Sequence, residues 1–371
     1  MLELYVLICF FVSFIVSSIL CNKLISIDQS SSRNAKVDGF RGILASMVAL
    51  FHYSATYNIE KTGNWLPYDI HILKNMGSVA VSIFFMISGY LFYSVVSRKY
   101  VCWKSFYLSR LLRIYPLYIT IISIIAITAY SIGDGTSFEY LIRYFEFRWG
   151  PLFGYDGAYI INSGVQWTLL YEVFFYAALP AIWSLKQRTA TIWLIVSIVF
   201  ACAAHYLYKA GEINLNLFLL FIMGGICRFV VSKKKRIISS FIMLFPALLS
   251  LLVAYLYADP YSYIQMTFLF FFFSLILASG NKVKVLSNKY SLVMGDVSYG
   301  IYMIHGVVIF LIFRSGIINT KVMSAWVYFS LFPLVMIAVT FLASYSLIYI
   351  ERPSMKLAVN ISKKIKMFGA K

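Results

Sequence analysis

The stretch Asp38-Gly-Phe-Arg-Gly-Ile-Leu-Ala-Ser-Met-Val-Ala-Leu-Phe-His-Tyr53 is an apolar run that carries two costly ionisable side chains, Arg41 and His52. At about 100° per residue, positions eleven apart fall within about 20° of each other on a helix, so both side chains share one face. They lie about 16 Å apart along the axis. If the helix enters lipid near Asp38, Arg41 sits at the membrane surface and His52 lies deep in the bilayer. Ionisable groups at that depth are expensive and mark functional sites by default. The pair therefore predicts a base where water is scarce, with a cation at the mouth of the same face.

The remainder of the chain has the same character. Of its 371 residues, 61% are hydrophobic and only 12% charged, against about 45–50% apolar in soluble domains. No polar stretch is long enough to build a separate core, so the expected fold is an all-α polytopic membrane protein. Apolar runs of about 17–25 residues predict a bundle of about 10–11 transmembrane helices. Their spans are 3–21, 38–56, 77–96, 107–132, 165–184, 190–208, 213–231, 237–257, 262–280, 295–314 and 325–349. The organisation expected is an extra N-terminal transmembrane helix with its loop (1–36), a membrane domain (37–355) and a basic tail (356–371).

Charge orients this bundle. Cations gather in alternate loops, at Lys23, Arg33 and Lys36, at Arg98, Lys99 and Lys104, at Lys186 and Arg188, at Lys233 to Arg236, and at Lys282, Lys284 and Lys289. The intervening loops hold most of the acids, among them Glu60, Asp69, Asp134, Glu139, Asp156, Glu212 and Asp259. Cation-rich loops face the cytoplasm, so the C-terminus is expected inside and the N-terminus outside. The net charge of +18 is then topological, with attraction to anionic membrane lipid. A nucleic-acid partner is not expected, because no folded domain presents a basic face.

The five cysteines, Cys9, Cys21, Cys102, Cys202 and Cys227, show no metal spacing and read as small hydrophobes. No metal is expected. The first apolar run lacks a basic start and an Ala-x-Ala site, which favours a retained anchor over a cleaved signal. Residues 133–164 form the longest outer loop, rich in Gly, Tyr, Phe, Trp and Asp; its aromatic rings suit either stacking on sugars or an interfacial belt.

Polar chemistry inside the apolar runs concentrates in further segments. In Phe84-Phe-Met-Ile-Ser-Gly-Tyr-Leu-Phe92, Ser88 and Gly89 allow close helix approach. In Ser109-Arg-Leu-Leu-Arg-Ile-Tyr-Pro116, Arg110 and Arg113 are one turn apart, suited to clamping a phosphate or simply to anchoring at the inner surface. Gln166-Trp-Thr-Leu-Leu-Tyr-Glu172 places Glu172 about 10 Å below the outer surface, a companion for a histidine or a structural partner for an arginine. Ser298, Tyr302 and His305 in Asp296-Val-Ser-Tyr-Gly-Ile-Tyr-Met-Ile-His305 follow i, i+4, i+7 spacing and predict a polar stripe. His71 and His205 are assigned no role.

Taken in order, these segments and Glu351-Arg-Pro353 resemble acyltransferase family 3, the multi-spanning bacterial inner-membrane O-acyltransferases, over about residues 36–355. Within the family the chain looks most like the O-antigen O-acetyltransferases. The resemblance implies a catalytic role for His52 and Glu172, with Arg41, Arg110 and Arg113 at an acyl-CoA site. Trp65, Ser88, Trp167, Ser298, Tyr302 and His305 would line the pore or the acceptor site. It implies acetyl-CoA as co-substrate rather than a permanently bound cofactor, and a lipid-linked or nascent polysaccharide as acceptor. The family core has ten helices, so the run at 3–21 is an addition. The chain ends about twenty residues after Glu351, so no fused C-terminal esterase-like domain is expected.

The implied route takes acetyl-CoA from the cytoplasm, seats its phosphates on Arg110 and Arg113, and brings its thioester to His52. The imidazole either deprotonates a sugar hydroxyl or carries the acetyl group itself, with Glu172 orienting or protonating it. A transporter or flippase for a lipid-linked sugar is the alternative; it shares the helix count but has no need of acetyl-CoA, and no inverted repeat is visible.

Overall fold

The structure, a computed structural model, describes residues 1–26, 34–136, 140–187, 206–209, 211, 213–233, 244–256, 259–279, 283–315 and 318–368. Each expected apolar run is helical over most of its described length. Most of the run at 190–208, the start of that at 237–257, His205, Cys202 and the cations Arg33, Arg188, Lys234 to Arg236 and Lys282 lie outside the described residues. Among the described residues the only strand-like pairing is a single bridge between Leu152 and Tyr155. Among the described residues, four helices are long and apolar enough to cross a membrane, or six if each bent pair is one span, with three shorter apolar helices besides. The protein is an all-α polytopic membrane protein.

The chain folds as two compact units, one of Met1–Ala80, Tyr107–Trp167 and Val283–Lys371, the other of Val81–Phe106 and Thr168–Lys282. In the first unit, helix Leu2–Leu24 packs on Phe332–Ser346. Leu4, Ile8, Phe11, Ile15 and Ile19 remain exposed on it. Their three- and four-residue spacing makes one apolar stripe, the surface a lipid-facing helix needs.

Helix Ala35–Thr62 carries the opening stretch. Asn34 accepts a hydrogen bond from the Val37 amide at its start, and Gly63, at φ 80°, closes it in the left-handed region that glycine enters without a β-carbon clash. Its partners are Lys289–Asp296 and Ser298–Phe313. Glycines set the approach: a β-carbon on Gly39 would land on the Leu286 carbonyl, one on Gly42 against Met294, and one on Gly295 on the Asp38 carbonyl. Backbones this close replace the hydrophobic effect, which is absent between helices in lipid, with dispersion contacts. Beyond His52, Tyr53 stacks on Tyr328 with ring centroids 4.2 Å apart. Each hydroxyl donates to the other's carbonyl, at 2.6 and 3.0 Å. This fixes the helix one residue past the histidine.

Two expected runs differ in shape. The run at 295–314 is not one helix: it bends by 63° at Val297. Ser298 donates to the Gly295 carbonyl at 2.8 Å, a local bond that competes with the helical ladder. Ser298 is thus a corner residue, its hydroxyl spent on the bend, and does not join Tyr302 and His305 as a free polar lining. The run at 325–349 continues past its expected end through a single π-helical turn, Leu347–Glu351, into helix Arg352–Phe368. The basic tail is therefore helical as far as Phe368.

In the second unit, glycines again set a close crossing. β-Carbons on Gly89 and Gly224 would strike the carbonyls of Phe221 and Met86, respectively. Phe85 and Phe175 stack on Phe221 at 4.7 and 4.4 Å around this crossing. Ser88 and Gly89, expected to serve helix approach, do so through the glycine.

Candidate active site

Within the first unit, helix Ala35–Thr62 and helix Ser298–Phe313 bring together two histidines 253 positions apart in sequence. His52 Nδ1 lies 3.0 Å from His305 Nε2, and the rings overlap at 20° with centroids 5.2 Å apart. His305 is fully buried, whereas His52 is half-buried. The other ring nitrogen of His305, Nδ1, is 2.9 Å from the Ile301 carbonyl. A carbonyl only accepts, so His305 Nδ1 carries the hydrogen and donates it. In neutral His305 the Nε2 is then the acceptor, and His52 Nδ1 must be the donor. The hydrogen-bond chain leaves the lone pair of His52 on Nε2, where a base needs it. His305 is the partner that orients this ring within the first unit.

Trp65 stacks over His52 at 6.3 Å and 14°, placing an aromatic wall beside the half-buried imidazole. A little over two turns beyond the pair, Arg314 Nη1 meets Glu60 Oε1 at 2.9 Å. These residues belong to the ends of the two histidine helices, so the ion pair ties those ends together.

Helix Ser298–Phe313 is seated on the chain that follows the 3-10 turn Asp156–Asn162. Tyr302 Oη donates to the Val165 carbonyl at 3.2 Å. Gly306 permits the contact, since a β-carbon there would fall inside the Asn162 backbone. The turn itself runs through left-handed Ser163 and Gly164, φ 60° and 64°. Asn162 and Gln166 flank it, fully buried, and no protein group hydrogen-bonds to either amide. Trp167, half-buried, opens the next helix.

Toward the other end of the opening helix is a cavity of about 820 Å³. Its polar lining includes Arg41, Arg113, Arg352 and Lys356 with Asp38, Asp296 and Glu351. Glu351, in the π-helical turn, is almost wholly buried and accepts a hydrogen bond from Ser346 at 3.1 Å. Arg113, Arg41 and Arg352 are the cations whose charge reaches it. A π-turn re-aims a side chain out of helical register, a device found often at functional sites. Arg113 donates to the Met355 sulfur at 3.3 Å, and Arg352 to the Ser26 carbonyl at 2.8 Å. Arg110 is not among the residues that line it. The paired-arginine expectation thus resolves into Arg41 with Arg113, joined by Arg352 and Lys356.

In the second unit the structure brings together Glu172 and Ser88. Ser88 Oγ donates to Oε1 at 3.1 Å, and Tyr176 Oη donates to Oε2 at 2.7 Å. Tyr176, one helical turn past Glu172, is a partner the sequence reading did not single out. Asn162 and Glu351 were missed as site residues. The signal for the first is an Asn-Ser-Gly turn beside an apolar run, and for the second a carboxylate within a 41-residue helical stretch. No group of three or more His, Cys, Asp or Glu side chains that could hold a metal gathers among the described residues.

A family model described as an acyltransferase domain matches residues 34–346, which include the histidine pair, Trp65, Arg41 and Arg113. No curated protein and no solved structure matches the chain. The match covers most of the sequence and both arms of the histidine pair, and the protein, a membrane acyltransferase, belongs to acyltransferase family 3.

Proposed function

We propose that this protein is an O-acetyltransferase of the bacterial inner membrane, with its C-terminus in the cytoplasm. It moves acetyl from cytoplasmic acetyl-CoA to a hydroxyl of a surface polysaccharide, O-antigen in the first instance, on the outer side. The observation that carries this function is the His52–His305 pair, which leaves a lone pair on His52 Nε2. The donor's phosphates sit in the cavity of Arg41, Arg113, Arg352 and Lys356, where guanidinium groups suit phosphate geometry. The pantetheine arm then runs along the shared face of the opening helix, a rise of about 16 Å to His52.

At the thioester, the sugar oxygen bonds to the carbonyl carbon as His52 Nε2 takes the hydroxyl proton. The C–S bond then breaks, and the thiolate recovers that proton from Nε2. The products are the acetyl ester and free CoA. While protonated, His52 keeps Nδ1–H on His305 Nε2, so its transient charge is shared through a charge-assisted hydrogen bond. Glu172, held by Ser88 and Tyr176, is a second candidate catalytic group.

Three measurements test this. Surface glycan from cells with and without the gene product, compared by mass spectrometry and NMR, should differ by O-acetyl groups; identical glycans remove the proposed acceptor. Arg113→Ala should weaken coenzyme A binding to purified protein about 10- to 100-fold, the worth of a charge-assisted hydrogen bond of about 1.5–3 kcal/mol. Arg113→Lys should recover part of that affinity, having lost only the bidentate fork. Unchanged calorimetric affinity in Arg113→Ala places the donor elsewhere. His305→Leu should cost roughly 10- to 100-fold in turnover, as loss of an orienting partner does. His305→Gln, which keeps an acceptor oxygen, should lose less. Equal loss in both variants argues for packing alone.

A further inference from the structure

The turn between Asp156–Asn162 and Trp167 holds two side chains that the proposed chemistry leaves unused. Asn162 and Gln166 are fully buried, and neither the oxygen nor the nitrogen of either amide has a protein partner. Buried polar groups are almost always paired, and in a membrane the alternatives to pairing are fewer still. Two unpaired amides within five residues need an explanation beyond packing. Ser163 between them adopts a left-handed φ of 60°, a conformation that non-glycine residues hold under constraint, often at functional sites.

The turn lies against the residues that present the base. Gly306, next to His305, has no β-carbon to keep the Asn162 backbone away. Tyr302, one turn before Gly306, is hydrogen-bonded to Val165, next to Gln166. Tyr302 and His305 are themselves in edge-on ring contact at 6.3 Å. The amides therefore flank the segment seated on the turn of helix that aims His305 at His52.

We propose that Asn162 and Gln166 are the anion-stabilising donors of the transfer site, their side-chain N–H groups directed at the thioester carbonyl oxygen. This rests on the acetyl-transfer function proposed above. When the sugar oxygen bonds to the carbonyl carbon, the carbonyl π pair moves onto that oxygen, and the hydroxyl proton goes to His52 Nε2. The oxygen then bears a negative charge at a depth where water cannot solvate it. Preorganised donors are worth most in such a site. When the pair returns to re-form the carbonyl, the C–S bond breaks and the thiolate takes the proton from His52. An amide needed only in this step has no partner in the resting protein.

The test uses the full chain in proteoliposomes, with radiolabelled acetyl-CoA and vesicles carrying the native glycan. Asn162→Leu and Gln166→Leu should each lower kcat about 10²- to 10³-fold, with KM for acetyl-CoA changed less than about threefold. Because leucine removes an unpaired buried amide at similar volume, the thermal midpoint should hold or rise. Gln166→Met, which keeps the length of the side chain but has no N–H donor, should be as inactive as Gln166→Leu and guards against misfolding of the leucine variant. Leucine variants that turn over within about threefold of the unaltered protein overturn the proposal. So does a loss of activity that only tracks a lowered midpoint. An unaltered protein that transfers no acetyl group fails differently, by removing the reaction itself.

Discussion

Replacing His52 by alanine is expected to lower acetyl transfer by about 10²- to 10⁴-fold, the range a positioned general base supplies. The measurement is incorporation of labelled acetyl into native glycan at matched protein levels in the membrane. Coenzyme A affinity should stay within about twofold, since the donor's phosphates are placed about 16 Å away at the Arg41 end of the helix. The physical case rests on the bond chain Ile301 carbonyl, His305, His52, which leaves His52 Nε2 as the free acceptor of this pair. An alanine variant retaining a tenth or more of the activity assigns the base to another residue. A variant that also loses coenzyme A binding shows instead that the helix has been disturbed.

Gly306→Ala is expected to have the next largest effect, though it touches no reacting group. Its β-carbon would occupy the space of the Asn162 backbone, and backbone cannot swing aside as a flexible side chain does. Overpacking of this kind costs about 1–3 kcal/mol. The structure can relieve it only by moving the 162–166 turn off helix Ser298–Phe313. A displacement of about 1 Å in a catalytic arrangement is enough for about a hundredfold loss of rate. The variant should therefore show a lowered thermal midpoint together with a fall in kcat larger than the midpoint explains. Gly225→Ala serves as the control. That glycine also lies in an apolar helix, but its β-carbon would meet only ordinary contacts at 3.8 and 4.0 Å, and activity should be unchanged. If Gly306→Ala behaves like Gly225→Ala, the turn is not held as tightly as its backbone contact indicates.

The same pair of sites shows how much of the active centre was legible in the chain. Placing Arg41 and His52 on one helix face required only local geometry, and the structure keeps both on helix Ala35–Thr62. The polar stripe was half legible: Tyr302 and His305 share a face, but Ser298 is taken by the bend at Val297. That bend depends on Gly295 pressing against the Asp38 backbone, a contact between segments over 250 residues apart. The arginine clamp was legible as charge but not as geometry. Arg113 faces the cavity and Arg110 does not, and Arg352 and Lys356 enter only because the chain after residue 351 stays helical. Asn162 carried almost no local signal, since an asparagine before Ser-Gly reads as an ordinary turn residue.

By itself the sequence determined that this protein resides in lipid, where its helical runs fall, and which ionisable side chains are too costly to be incidental. These are properties of composition and of period along one chain, and lipid enforces them on each helix separately. Only the tertiary structure decided which of those side chains meet. His52 meets His305, the Arg41 end shares a cavity with Arg113, Arg352 and Glu351, and the turn that carries two buried amides packs on the helix of His305. The physical reason is that helices in a membrane associate through glycine-mediated backbone contact. Which glycine meets which carbonyl is a matter of packed surfaces, and no window of sequence contains both.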